Sequence, residues 1–163
     1  MGNLELILPE IFISLSIMFL LILGVFKKNS SKLIQNISLL VLLITAVITF
    51  NETLGINEVT LFNGSVVIDY LSSFMKIVTL VAAFLVLIIS SNYLKSLKIL
   101  KIEYPILILC SVLGMMIMIS SNDLIVFYMG LELQSLALYV LASFNRDQIK
   151  SSEAGLKYFV LSA

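Results

Sequence analysis

Two charged residues, Glu132 and Lys157, lie inside strongly apolar stretches of a chain of 163 residues. In the whole chain 60% of the residues are hydrophobic and only 12% are charged. A charge in the interior of a lipid bilayer is costly, so an ionisable residue found there indicates a functional site. A buried carboxylate beside a cation or water can load and release a proton near neutral pH, and a desolvated lysine can do the same. The two residues therefore predict a site that moves protons or cations.

Each of these residues also has a plainer interpretation. Glu132 could be a buried acid that is satisfied by a neighbouring helix and has no other role. Lys157 follows Glu153 by four residues, the spacing of an ordinary helical ion pair, or its long side chain could reach the membrane surface. Lys76, a third charged residue within a span, is expected to extend outward to the surface, with a role in an outer proton exit as the alternative.

The depths of Glu132 and Lys157 predict a relay through water rather than a tight ion pair. At about 1.5 Å of rise per residue, Glu132 lies ~18 Å from the inner end of its helix. By the same rise, Lys157 lies ~8 Å from the inner end of the following helix. The long lysine side chain covers part of that difference, and waters or helix tilt have to cover the rest.

The length of the apolar runs predicts an all-α, polytopic membrane helix bundle. A membrane-spanning helix needs about 20 mostly apolar residues, and runs near that length recur along the chain. We predict five complete spans and the start of a sixth, with Ser152 as the N-cap of the sixth. The predicted spans cover residues 6–26, 33–50, 70–90, 104–119, 122–144 and, incompletely, 152–163.

The charges outside the spans predict the orientation. Basic residues follow the first, third and fifth spans, at Lys27, Lys28, Lys32, Lys95, Lys98, Lys101, Arg146 and Lys150. The opposite side carries the acids Glu5, Glu10, Glu52, Glu58, Asp69 and Asp123, with no Lys or Arg. Because basic connections stay in the cytoplasm, the N-terminus is predicted to lie outside. Acids precede the first apolar run and basic residues follow it, so we expect a retained span rather than a signal peptide.

Smaller signals predict local structure. Three glycines are expected at close helix contacts, namely Gly114, Gly130 and Gly155. The polar connection 51–65 contains Val59, Thr60 and Leu61 and then Asn63-Gly64, a pair typical of hairpin turns. Pro9-Glu10 is interpreted as punctuation at the start of the first helix.

Composition excludes several classes of site. A formal net charge of zero gives no electrostatic basis for binding nucleic acid. The chain has no histidine, and its single cysteine, Cys110, can form neither an internal disulfide nor a metal cluster. We expect Cys110 to pack as a small apolar residue. Without a nucleotide-binding loop, a cysteine cluster or a flavin motif, the chain is predicted to hold no cofactor and no redox centre.

Several segments match one family. Those near the predicted relay are Asn122-Asp123-Leu124, Gly130-Leu131-Glu132-Leu133-Gln134-Ser135-Leu136, Leu138-Tyr139-Val140-Leu141-Ala142 and Glu153-Ala154-Gly155-Leu156-Lys157-Tyr158-Phe159. Those nearer the N-terminus are Leu8-Pro9-Glu10, Phe74-Met75-Lys76 and Leu113-Gly114-Met115-Met116. With these segments the chain resembles subunit N of the proton-pumping NADH–quinone oxidoreductases (respiratory complex I). The resemblance covers nearly the whole chain and is specific in its last forty-odd residues.

The resemblance implies a non-redox, membrane-arm subunit that relays protons while electrons pass from NADH to quinone elsewhere in the complex. It implies that Glu132 is the family's span-five glutamate and Lys157 its span-six lysine, with Lys76 as a tentative further member of the relay. The partners would be other membrane-arm subunits and the lipid bilayer of a bacterial inner (plasma) membrane, rather than an organelle. NADH, FMN, iron–sulfur clusters and quinone would bind to other subunits.

The family consists of far longer proteins, built from two inverted repeats with broken helices. Residues 1–163 are therefore interpreted as the N-terminal part of an antiporter-like membrane subunit, which alone is not expected to pump. Two alternatives stay open. The chain could come from a multi-subunit cation/proton antiporter, or from a structural or assembly membrane subunit whose charges only specify helix packing.

Overall fold

A computed structural model describes residues 5–26, 31–53, 58–96, 101–145 and 147–162. The described residues form six α-helices, in agreement with the predicted all-α membrane bundle. They are α1 (Leu8–Phe26), α2 (Ser31–Thr53), α3 (Tyr70–Ser96), α4 (Glu103–Ser120), α5 (Leu124–Ala142) and α6 (Ile149–Ser162). The first five are long and apolar enough to cross a membrane.

Helix α6 begins at Ile149, three residues before the predicted start. The backbone N–H of Ser152 donates a 3.2 Å hydrogen bond to the carbonyl oxygen of Gln148. Ser152 therefore lies inside the first turn, and the prediction that it is the N-cap is wrong. The segment before it offered no apolar periodicity, so a serine followed by an acid was the strongest start signal in the sequence.

Helix α4 is the centre of the bundle. It packs against α1, α2, α3 and α5, and it is the most buried of the five described spans. The core is made of apolar side chains from the first four helices, namely Ile13, Ile17, Leu20, Ile34, Val41, Leu42, Leu80, Ala83, Leu87, Ile106, Ile108, Leu109, Val112 and Met116. Helix α5 packs between α4 and α6 and keeps most of its surface exposed.

Close backbone contact joins α4 to α5. A Cβ atom on Gly114 would lie 2.7 Å from the backbone nitrogen of Gln134 and 2.8 Å from the carbonyl oxygen of Gly130. A Cβ atom on Gly130 would lie 2.9 Å from the carbonyl oxygen of Gly114. Both positions therefore need glycine, which confirms them as close helix contacts. Gly155 is a third such position, since a Cβ atom there would lie 2.6 Å from the Cβ of Ser143.

A short antiparallel hairpin connects α2 to α3. Strand β1 (Val59–Leu61) pairs with β2 (Val66–Ile68), with Leu61 opposite Val66. Asn63 and Gly64 have φ values of 55° and 90°, the left-handed conformation that these residue types adopt most readily. The hairpin turn predicted from this pair is confirmed, and it adds a small sheet to the helical fold.

The hairpin packs at one end of the bundle, called here the hairpin end. Asn122, just before α5, donates hydrogen bonds from its backbone and side chain to the carbonyl oxygens of Ser65 and Gly64. A small apolar cluster packs beside the starts of α1 and α3, and it consists of Leu6, Leu61 and Ile68. The starts of α1, α3 and α5 therefore share the hairpin end, as expected for helices that alternate in direction.

The orientation in the membrane stays a prediction. Lys27, Lys28, Lys98 and Arg146 lie outside the described residues. Lys32, Lys101 and Lys150, at the end opposite the hairpin, are exposed, as are the acids Glu58 and Asp123 near the hairpin.

Candidate functional site

Glu132 lies near the middle of α5, eight residues after Leu124 and ten before Ala142. By helical rise it is about 12 Å from one end of the helix and about 15 Å from the other. Its side chain is half-buried, and it interacts with the hydroxyl group of Tyr128, one turn earlier. The described ion pairs do not include Glu132, so within the described part of the chain this acid has a polar neighbour and no paired cation.

Helix geometry fixes the direction in which Glu132 points. Gly130 and Gln134 contact Gly114 of α4, and Ala137 on the same face is buried. With 3.6 residues per turn, Glu132 is about half a turn around the helix from Gly130. It therefore lies on the face of α5 that is turned away from α4.

Helix α6 packs against the face of α5 that carries Glu132, but closer to the end of the bundle opposite the hairpin. The ring of Tyr139 makes edge-to-face contacts with Tyr158 and Phe159, with centroid distances of 4.9 and 5.7 Å. The hydroxyl group of Ser162 also forms a hydrogen bond with the hydroxyl of Tyr139. Tyr139 thus anchors α6 about two turns away from Glu132.

Lys157 does not meet Glu132. Its ammonium lies 2.5 Å from the carboxylate of Glu153, in an i,i+4 pair whose side chains are 66% and 55% exposed. Gly155 lies level with Tyr139 and Ser143 of α5, which puts Lys157 about 10 Å from Glu132 along the bundle axis. The two residues of the predicted relay are therefore separate in this structure, and Lys157 has the ordinary helical partner named as its alternative.

Lys76 is placed differently from the prediction. Its side chain is 3% exposed and its Nζ atom lies 2.6 Å from Oε1 of Glu10, which is 11% exposed. The expectation that Lys76 extends to the surface is wrong, because a carboxylate on α1 is within reach of its ammonium inside the bundle. Glu10 is thus an ion-pair partner as well as a residue of the first turn of α1.

Glu52, in the last turn of α2, lies near the Glu10–Lys76 ion pair, and it was not identified as a site residue from the sequence. It is half-buried and interacts electrostatically with both Glu10 and Lys76. In the sequence it counted only as one of the acids on the outer side. One signal was available in the sequence. Glu10, Glu52 and Lys76 each lie within two turns of a helix end, and these three ends meet on the same side of the membrane when successive helices alternate in direction.

Asp69 fixes the start of α3, two turns before Lys76. The backbone N–H of Ser72 donates a 2.7 Å hydrogen bond to Oδ1 of Asp69. In return, the backbone N–H of Asp69 donates to the hydroxyl of Ser72 at 3.0 Å, the reciprocal arrangement of a capping box. Hydrogen bonding of its carboxylate to Ser72 holds the pKa of Asp69 below its usual value, and the backbone N–H of Ser72 has the largest effect.

Comparison with known proteins connects this geometry to a family. Residues 121–163, which include α5 and α6, match the family model described as "NADH:quinone oxidoreductase/Mrp antiporter, TM". The fold is similar to a chain in the solved structure of respiratory complex I from Thermus thermophilus with bound aureothin, with a TM-score of 0.75 and 23% identity. That similarity covers 94% of this chain and 32% of the solved one.

Curated relatives match the chain along its whole length. The NADH-quinone oxidoreductase subunit N of Pelagibacter ubique is 68% identical over 163 residues, which are all of this chain and 34% of that protein. The subunit N of Paramagnetospirillum magneticum is 49% identical over 158 residues, 96% of this chain and 32% of that protein. The chain therefore spans about a third of the length of the relatives it matches. Over that third, the chain belongs to the NADH-quinone oxidoreductase subunit N family.

Proposed function

We propose that the protein containing this chain is a proton-translocating membrane subunit of an NADH–quinone oxidoreductase, and that Glu132 and Lys157 take part in the proton path. The observation that carries the proposal is the position of Glu132. It is an acid near the middle of a membrane-length helix, half-buried, beside a tyrosine hydroxyl and without a cation among the described residues. A carboxylate at this depth in a membrane is energetically costly, so its presence there indicates a functional role.

Lys157 enters the proposal as the next site along the path. The relatives are about three times as long as this chain, so helices outside residues 1–163 are available to pack against α6. The exposed apolar residues of α6 include Leu156, Val160 and Leu161. Packing there would desolvate Lys157, weaken its hydration and allow it to exchange protons. A gap of about 10 Å to Glu132 requires water to carry the proton between them.

The proposal extends to the surroundings of the subunit. The chain itself is proposed to hold no cofactor, while NADH, FMN, iron–sulfur clusters and quinone bind to other subunits. Its partners are other membrane-arm subunits and the lipid bilayer, in the inner (plasma) membrane of a bacterium. In this arrangement the subunit belongs to an enzyme complex but contributes no redox centre.

The test uses sealed vesicles containing the whole complex with the full-length subunit. Proton uptake and quinone reduction are driven by NADH and recorded together for Glu132→Gln. We expect the number of protons moved per quinone to fall in a complex that still assembles. The matched control is Glu58→Gln, which removes an exposed acid near the hairpin and should change neither rate. Unchanged pumping by Glu132→Gln would contradict the proposal and favour a structural acid.

A cation/proton antiporter is the second candidate, because the matching family model is described by both names. The two functions differ in what drives transport. In vesicles with NADH and quinone but no sodium or potassium gradient, an oxidoreductase subunit supports proton uptake and an antiporter does not. A cation gradient without NADH gives the opposite result.

A further inference from the structure

A second buried ionisable group, distinct from Glu132, lies at the hairpin end of the bundle. Glu10 is in the first turn of α1, and Lys76 is about 9 Å along α3 from its start. Helical side chains lean toward the N-terminus of their helix, which brings the ammonium of Lys76 back to within 2.6 Å of Oε1 of Glu10. The other carboxylate oxygen, Oε2, is buried and accepts no hydrogen bond from the described part of the chain.

The charges of this group do not balance. Glu52 interacts electrostatically with both members of the Glu10–Lys76 pair. With both carboxylates ionised and the lysine protonated, the three residues carry one net negative charge. A buried charge without compensation is costly, and neighbouring carboxylates resist ionising together. A single proton makes the group neutral, whichever of the two carboxylates carries it.

The described residues around the group supply no other compensating charge. Strands β1 and β2 contain no ionisable side chain, and the only charged residue of α4 is Glu103, at the far end of that helix. Asp69 interacts with Lys76, but it is an acid and its own charge is met by a backbone N–H at the start of α3. Glu58 and Asp123 are exposed acids. Among the residues that the structure describes, every further charge near the group is therefore negative.

A metal ion fits the group poorly. The described residues contain no cluster of three or more acidic, histidine or cysteine side chains that could hold one. The ammonium of Lys76 already occupies Oε1 of Glu10 and would repel a second cation. A proton needs only one oxygen, so it is the species that this geometry fits.

We propose that Glu10 and Lys76, which are buried, and Glu52, which is half-buried, form a site that holds one exchangeable proton at the hairpin end of the bundle. The binding of this proton does not depend on the function proposed above. Its use in transport would, because the site would then be a second station in addition to Glu132.

Infrared difference spectroscopy of the assembled complex, with the full-length subunit, tests the proposal. A pH step is applied and the carbonyl stretch of protonated carboxylic acids is compared between variants. Replacing either acid leaves one carboxylate and one ammonium, a neutral pair that needs no proton. We therefore expect one protonated-acid signal of the parent complex to be lost in Glu10→Gln and, equally, in Glu52→Gln. Lys76→Met should enlarge the signal, because two carboxylates then remain without a cation.

The control is Glu58→Gln, which should keep the full signal. Glu52→Gln leaves the Glu10–Lys76 pair intact, so it provides the decisive spectrum even if the other two variants fail to assemble. A signal unchanged in Glu52→Gln would overturn the shared proton, as would a signal lost in only one of the two glutamine variants. NADH-driven pumping by Glu132→Gln is measured separately, so failure of the proposed function leaves this result readable.

Discussion

Replacing Gly114 with alanine is expected to destabilise the contact between α4 and α5 by about 1–3 kcal/mol, the usual cost of overpacking. The new Cβ would lie 2.7 Å from the backbone nitrogen of Gln134, whereas ordinary contact begins at 3.4 Å. The two helix backbones would have to separate by about 0.7 Å, which weakens dispersion contacts along their interface. Alanine regains only about 0.5–1 kcal/mol over glycine in a helix, so the net effect is a loss.

Gly24→Ala is the matched control for this prediction. Its new Cβ would also lie close to a neighbour, 2.8 Å from Cγ2 of Ile102, but that atom is a side-chain methyl group of the residue before α4 rather than the backbone of a packed helix. The free energy of unfolding of the full-length protein is measured in mixed detergent micelles for both variants. We expect Gly114→Ala to lose more stability than Gly24→Ala, because a side-chain methyl group can shift more easily than two packed helix backbones. Equal stability of the two variants would refute the close backbone contact.

Three further predictions concern the charged residues. Lys76→Met should destabilise the protein by about 3–5 kcal/mol, because it leaves a buried carboxylate unpaired, and Glu10→Gln in the same chain should restore much of that loss in the unfolding assay. Asp69→Ala should cost about 1 kcal/mol at neutral pH through the lost helix cap. Because the pKa of Asp69 is lowered in the fold, its contribution to stability is complete above pH ~4 and disappears as the pH falls through the lowered pKa. A constant difference in the free energy of unfolding between the variant and the parent across that pH range would contradict this. Glu153→Gln should change stability by less than about 1 kcal/mol, since the pair with Lys157 is exposed, and a larger loss by the same assay would show that the pair is buried in the full-length protein.

Most of the fold could be predicted from local sequence patterns. The spans could be located because each is a long apolar run bounded by charge, and the hairpin because Asn63-Gly64 suits positive φ values. Gly114 and Gly130 stood out because small residues allow membrane helices to approach closely. Each of these signals lies within one stretch of sequence, so no knowledge of neighbouring helices was needed.

The candidate sites were harder to predict because they depend on pairing between helices. The sequence showed Glu10, Glu52 and Lys76 as separate residues on three helices, and nothing in one helix reveals that Lys76 turns inward to Glu10. The i,i+4 pair of Lys157 with Glu153 was visible because both residues belong to α6. The mid-helix position of Glu132 could also be read from span length alone, but its neighbours in the full-length protein could not.

The proposed role of Glu132 is best tested by comparing Glu132→Gln with Glu132→Asp in sealed vesicles of the whole complex. Aspartate keeps an ionisable carboxyl group, whereas glutamine keeps the shape and the hydrogen bonding of the side chain without it. If Glu132 carries protons, the number of protons moved per quinone falls with glutamine and is largely kept with aspartate. If that number is the same for glutamine and the parent complex, Glu132 is a structural residue and the proposed proton path is wrong.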